Sequence, residues 1–302
     1  MKLKILITLA FILIISCKSE KKKTINSINT EEWISLFNGK DLSDWTIKFT
    51  GEDLNVNYKE TFIIEDSMIR INYDNYENFN GKFAHMYFKN PYSYYKLKFD
   101  YRFTGKQTKG GSHWNVRNSG VMLHSQSAES NAYNQNFPVS IELQLLGGLK
   151  NNEDRPTANV CTPGTAVVMG DTINYKHCIR SNSKTYFGDQ WVHAEAIVLG
   201  GDSMTFIVEK DTVLSFKLPQ IGVTKPNNYY KGEDWEAWGM NPEAWKNKAG
   251  EILSEGYISL QAESHPVDFK NLQVLDLCGC KDPKAKNYKS YYIKDKPESC
   301  LY

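Results

Sequence analysis

Between Tyr94 and Phe103 the chain reads YYKLKFDYRF. Tyr95, Leu97, Phe99, Tyr101 and Phe103 alternate with Lys96, Lys98, Asp100 and Arg102, the two-residue period of a strand with one face in a core and the other in water. The period returns in SGVMLHSQ (Ser119–Gln126), SIELQLL (Ser140–Leu146) and WVHAEAIVL (Trp191–Leu199). It continues in MTFIVEK (Met204–Lys210), TVLSFKL (Thr212–Leu218) and GYISLQAE (Gly256–Glu263). Between neighbouring runs, VLGGDSM and EKDTV carry the residues of tight hairpins. No long stretch keeps a 3.6-residue period, and Gly232–Leu253 is the one candidate for a helical insertion. Many short strands joined by turns predict two packed antiparallel sheets, a β-sandwich, from Trp33 to Leu277.

Three of these strands carry polar rows of an unusual kind. In PVSIELQLLGG (Pro138–Gly148), Val139, Ile141, Leu143 and Leu145 face one way and Ser140, Glu142 and Gln144 the other. In GYISLQAESHPVDF, Ile258, Leu260 and Ala262 oppose Ser259, Gln261 and Glu263, and in NSGVMLHSQS Val121 and Leu123 alternate with Met122 and His124. Water-facing rows are usually mixed and Lys-rich, as in KLKFDYRF. Short Glu, Gln and His side chains without Lys suit a concave, partly dry floor where hydrogen bonds are placed one by one. An ordinary outward face is the plainer explanation for any one of these residues; the three rows together point to a shared site.

Glu142, His124 and His265 are the natural acid/base candidates, because imidazole titrates near neutrality and burial raises a carboxylate toward it. His with Glu on neighbouring strands also suits a divalent metal, so a metal cofactor stays open, with His124, Glu142 and Glu263 as its candidate ligands. The Gly-rich loop GKQTKGGSHWNVRNSG lacks phosphate-loop spacing. Its Trp114, Asn115, Arg117 and Asn118 are placed to form a rim for sugar hydroxyls, with a plain surface charge the alternative for Arg117. His113, His177 and His193 have weaker cases, and His193 reads as a hydrogen-bonded structural residue. A formal net charge of +1 offers no surplus to neutralise phosphates, which argues against nucleic acid as a partner.

The N-terminus reads as a processing segment over residues 1–16: a basic MKLK, then the apolar run ILITLAFILIIS, too short to span a bilayer. IISC at Ile14–Cys17 resembles the lipobox of bacterial lipoproteins, which implies lipidation of Cys17, a polar tether over 17–32 and a lipid-anchored place in the cell envelope. Export permits disulfides. Cys161 and Cys178 flank a possible hairpin and are expected to bridge. Cys280 and Cys300 would staple the Lys-rich tail 278–302, with Cys278 the competitor for that bridge. GCKDPKAKNY…SC in the tail resembles short repeats appended to exported bacterial proteins, and is read as a structural appendage.

The ordered blocks LFNGKDLSDWT, NSGVMLHS, PVSIELQLLGG, DQWVHAEAIV and GYISLQAESHPVDFKNLQV resemble the 3-keto-disaccharide hydrolase family over Leu36–Leu275. The resemblance implies an all-β, concanavalin-like jelly roll over 33–277 and an oligosaccharide or glycoside substrate oxidised at C3. There a base removes the C2 proton, the C1 oxygen leaves, and water adds to complete net hydrolysis. It further implies Glu142 or His124 as base, Gln144 and Gln261 as positioning donors, and Glu263 and His265 as acid or metal-side partners. Two blocks depart from the family: Ala262 and Glu263 stand where many members have Asp and His, and His124 where many have Arg, so that His124 and Glu263 would trade places across one site. A retaining glycosidase ranks lower, since SIELQLL offers a single acid. A non-catalytic carbohydrate-binding lipoprotein is the alternative reading.

Overall fold

The computed structural model describes residues 30–150, 153–222, 235 and 238–302. Cys17, the N-terminal segment and most of the tether lie outside them. The described chain forms two units, Glu32–Cys278 and a C-terminal unit from Gly279.

The larger unit is built from strands β1 (Ile34–Ser35), β2 (Trp45–Phe49), β3 (Phe62–Glu65), β4 (Met68–Ile71), β5 (Ala84–Phe88) and β6 (Tyr94–Phe103). These are followed by β7 (Asn118–Ser125), β8 (Ile141–Leu146), β9 (Asn159–Cys161), β10 (Thr165–Met169), β11 (Thr172–Asn174) and β12 (Cys178–Ile179). The last five are β13 (Val192–Leu199), β14 (Ser203–Val208), β15 (Asp211–Ile221), β16 (Tyr257–Ala262) and β17 (Val267–Asp276). One antiparallel sheet runs β11-β10-β15-β14-β13-β6-β17-β4-β3, with β1 on β17; the other runs β12-β9-β8-β7-β16-β5-β2. These are the two packed antiparallel sheets that the alternation predicts, in the jelly roll that the family resemblance implies.

Strand β6 shows the expected pattern without a break, every second residue buried. Its apolar face joins Val121, Leu143, Leu260, Met86 and Phe269 in one core between the sheets. Inside the same sheet, Asp268 on β17 is fully buried and stands in register with Arg70 on β4 and Arg102 on β6. Both guanidinium groups bond its carboxylate, at 2.6 and 2.8 Å, which compensates the buried charge and pins three strands to one alignment.

The hairpin β10–β11 separates Cys161 from Cys178, and the two cysteines are disulfide-bonded. Of the expected helical insertion, the described residues hold Trp235 in helical backbone and two 3-10 turns, Pro242–Ala244 and Lys246–Lys248; residues 232–234, 236 and 237 lie outside the described residues. In the C-terminal unit Cys280 bridges Cys300, Asn287 bonds both Ser299 O and Leu301 N, and Tyr302 donates to Asp282. Cys278 is buried and belongs to neither bridge.

Candidate functional site

Strands β5 and β7 are buried along their whole length, so this sheet is covered on both faces. One face is core; the other carries the polar rows. Because the strands pair in register, those rows line up as ranks across the sheet. Thr46, Tyr87, Ser259, Met122, Glu142, Cys161 and Cys178 are successive cross-strand partners. A second rank contains Lys48, His85 and Gln261 on one side and Gly120, Gln144 and Asn159 on the other. Side chains that share a rank lie about 5 Å apart, so these ranks are the floor of a site rather than scattered polar intruders.

Above the floor lies a cavity of about 490 Å³, lined by Asn118, Glu142, Gln144, Arg155 and Glu263 among polar groups and by Trp114, Phe137, His177 and Trp238 among aromatic ones. That volume suits a small ligand. Glu142 extends over Gly120: a Cβ built there would fall inside van der Waals contact of Glu142 Oε1. Gly120 thus leaves the space that the carboxylate occupies. Burial pushes Glu142 up to about 8. Glu263 follows the end of β16 and is raised well above the usual carboxylate range, by burial first and then by the Glu142 carboxylate, with the Arg155 guanidinium opposing. The cavity therefore holds two carboxyl groups that resist ionising together, beside one fixed cation.

Arg155 is held in place by main-chain oxygens. Nη1 donates to Gly147 O at 2.5 Å and Arg117 O at 3.1 Å. Gln144 Oε1 accepts from Asn159 Nδ2 at 2.9 Å. Asn118 is buried, donates weakly to Trp114 O at 3.4 Å, and has no hydrogen-bond partner at Oδ1. The aromatic wall is continuous. Trp114, 46 % exposed, stacks on Phe83 with rings 6.3 Å apart and 10° from parallel. Phe83 meets Phe137 at 4.9 Å, Phe137 meets Trp238 at 5.6 Å, and Trp238 meets His177 at 4.6 Å. Flat faces beside clustered polar atoms are the surface that a sugar ring fits.

Glu142, Glu263, Gln144, Asn118 and Trp114 thus share one cavity, and five other nominated residues, Asn115 (fully buried), His124, His265, Gln261 and Arg117, are not part of its lining. His124 stands at a bulge: its φ is +46°, and the β7–β16 register shifts between Tyr257 and Ser259. The alternation breaks there, and the ring turns to Leu253 O at 2.9 Å and Ser93 O at 3.2 Å, against Tyr95. His265 lies beyond Ser264, whose φ is +77°, and packs on Phe103 with neither ring nitrogen hydrogen-bonded. Burial, then Arg117, pushes it down to about 4, so it is neutral at physiological pH. Gln261 is buried in its rank beside His85, with Oε1 lacking a partner. Arg117 bonds Asp189 at 3.0 Å and Gly188 O, which commits it to the protein. The trade of places between His124 and Glu263 does not occur, since only Glu263 reaches the cavity.

Three cavity residues carry no clear mark in the sequence. Arg155 and Trp238 come from irregular loops. His177 has one signal, its place beside Cys178, since the bridge to Cys161 carries it to the strand next to Glu142. With His124 removed, the nominated metal ligands reduce to two carboxylates. Among the described residues, the one cluster of three close ligand atoms is Cys161, His177 and Cys178, and its two sulfurs are joined to each other. His193 bonds Asp100 at 2.6 Å and Glu195 at 3.2 Å in the other sheet, the structural role expected of it.

Comparison with solved structures gives likenesses of low identity. A suggested glycosyl hydrolase of Parabacteroides distasonis ATCC 8503 is 14% identical, with 81% of this chain and 99% of that one covered and a TM-score of 0.46. A Bacillus subtilis protein of unknown function with a galectin-like fold is 9% identical, with 82% and 97% covered and a TM-score of 0.45. No curated protein matches the chain. A sequence model of the 3-keto-alpha-glucoside-1,2-lyase-like domain matches residues 32–275, which takes in every residue of the cavity and, but for the last residue of β17, both sheets. By that match the chain belongs to the 3-keto-alpha-glucoside-1,2-lyase-like family.

Proposed function

We propose that the chain cleaves glycosides oxidised at C3, by elimination and hydration. The observation that carries this reading is the pair Glu142 and Glu263, two buried carboxyl groups in one cavity, Glu142 raised by burial and Glu263 by burial and then by the Glu142 carboxylate. A C3 ketone acidifies the C2 hydrogen. Ionised Glu142, made more basic by burial, takes that proton, and the electron pair moves onto the C3 oxygen. The Gln144 amide supports the enolate oxygen that forms. As the enolate collapses the C1–O bond breaks, and Glu263, held protonated, delivers a proton to the departing oxygen. Addition of water, hydroxide to C1 and a proton to C2, gives the free 3-keto sugar. Repulsion between the two carboxylates opposes double ionisation, so when Glu142 loses its proton Glu263 keeps its own, which is the state this chemistry starts from.

Supporting this reading are the aromatic wall, for sugar faces, and the family, for the reaction class. Cys17 is read as lipidated, which would tether the enzyme in the cell envelope; Cys17→Ser would then move it from the membrane to the soluble fraction. The deciding experiment is incubation with a 3-keto-glucoside in D₂O. Aglycone release with deuterium at C2, lost in Glu142→Gln, is the expected result. Tight binding of intact glycans with no release and no C2 exchange would make the protein a carbohydrate-binding module instead.

A further inference from the structure

Asn159 on β9 is held by two main-chain groups. Its Oδ1 accepts from Ser181 N–H at 2.9 Å, and its Nδ2 donates to Pro156 O at 3.0 Å. A peptide N–H only donates and a peptide oxygen only accepts, so these contacts settle which end of the amide is which. The same Nδ2 donates to Oε1 of Gln144, its partner across the β8–β9 ladder. Gln144 therefore turns its oxygen toward Asn159. The end left for the cavity is Nε2, with N–H groups and no acceptor.

We propose that Asn159 is a positioning residue that sets the hydrogen-bond polarity of the cavity floor: through Gln144 it makes this point a donor only, so the ligand atom seated there is a carbonyl or enolate oxygen. This rests on the function proposed above, in which that atom is the C3 oxygen. A hydroxyl at the same point accepts as well, but in a buried place it must find an acceptor for its own hydrogen, and a ketone has no such need. The main-chain anchors Pro156 and Ser181 lie outside the cavity, so substrate specificity is written partly in residues that never touch the sugar.

Asn159→Asp tests this. The carboxylate still accepts from Ser181 N–H, but it now offers Gln144 an acceptor, and Gln144 reverses to face the cavity with Oε1. Calorimetric titration with methyl 3-keto-α-glucoside and its parent glucoside reads the result. Binding of the ketone should weaken about tenfold or more while the parent changes less than about threefold. Parallel losses on both sugars would mark Asn159 as merely structural and overturn the proposal. Should Asn159→Asp fail to fold, Gln144→Glu places an acceptor at the same point with Asn159 intact, and the same selective loss is expected. If the wild type turns over no 3-keto-glycoside yet the binding ratio still shifts, the catalytic reading fails and the polarity role stands. Neutron diffraction of the ligand-free protein reads the amide with no sugar bound. Deuterons on the cavity-facing atom of Gln144 are expected; deuterons on the atom facing Asn159 would overturn the proposal.

Discussion

Glu142 stands directly opposite Cys161 across the β8–β9 ladder, and Cys161 is bonded to Cys178, which lines the cavity that Glu142 enters. The bridge thus joins the proposed base to the wall that carries His177. Serine at both cysteines should cost about 2–4 kcal/mol of stability, from a loop with a sequence separation of 17, and should weaken sugar binding more than it slows the chemical step. Thermal melting and separate kcat and KM values check this. A drop in kcat alone, at unchanged KM, would contradict it.

The carboxyl pair predicts an unusual pH dependence. Both groups are pushed up in the fold, Glu142 from 4.5 to about 8, so the folded chain holds protons that the unfolded chain releases. The stabilisation from Glu142 is complete below the unfolded value and disappears as pH rises through about 8. Wild type should lose on the order of 3–5 kcal/mol over that range relative to Glu142→Gln, read from denaturant melts at several pH values. Activity should run the other way, with kcat/KM rising toward pH 8 as Glu142 ionises. A flat profile would remove Glu142 as base.

His124 should behave as a structural residue. Burial pushes it down to about 4, and its two ring nitrogens face Leu253 O and Ser93 O. His124→Ala should destabilise by about 2–4 kcal/mol through a lost hydrogen bond and a cavity. The folded fraction should keep kcat/KM within about threefold, since such a residue contributes no transition-state contact. Active-site titration normalises the comparison; a loss of a hundredfold or more would return His124 to the chemistry.

Trp114 is the exposed end of the aromatic wall. Trp114→Ala should leave stability within about 1 kcal/mol and weaken binding of a disaccharide about tenfold. Surface plasmon resonance against immobilised glycan is a direct check, and unchanged affinity would place the sugar elsewhere.

The two-residue period carries the sandwich and both polar ranks, because side-chain direction in a regular strand follows from backbone geometry alone. It cannot carry residues past an irregularity. His124 lies at a bulge set by its partner strand, and His265 follows a residue in the left-handed region, so neither keeps the parity its neighbours have. Arg155, His177 and Trp238 come from three separate connections. Their meeting depends on closure of the whole sandwich and on one disulfide, neither of which has a local signature. The second carboxylate is the most instructive case: Glu263 lies 121 positions from Glu142 in the chain, and only the antiparallel pairing of β16 with β7 brings it to the same cavity.

The space above Gly120 has a meaning beyond this chain. A carboxylate laid over the sheet at this point requires that the residue beneath it have no side chain. Position 120 is therefore a one-letter diagnostic for reading related sequences. A sequence with the same blocks and Gly here can seat its acid in the cavity floor, whereas one with Ala or Ser has lost that seat, even if every acidic residue is retained.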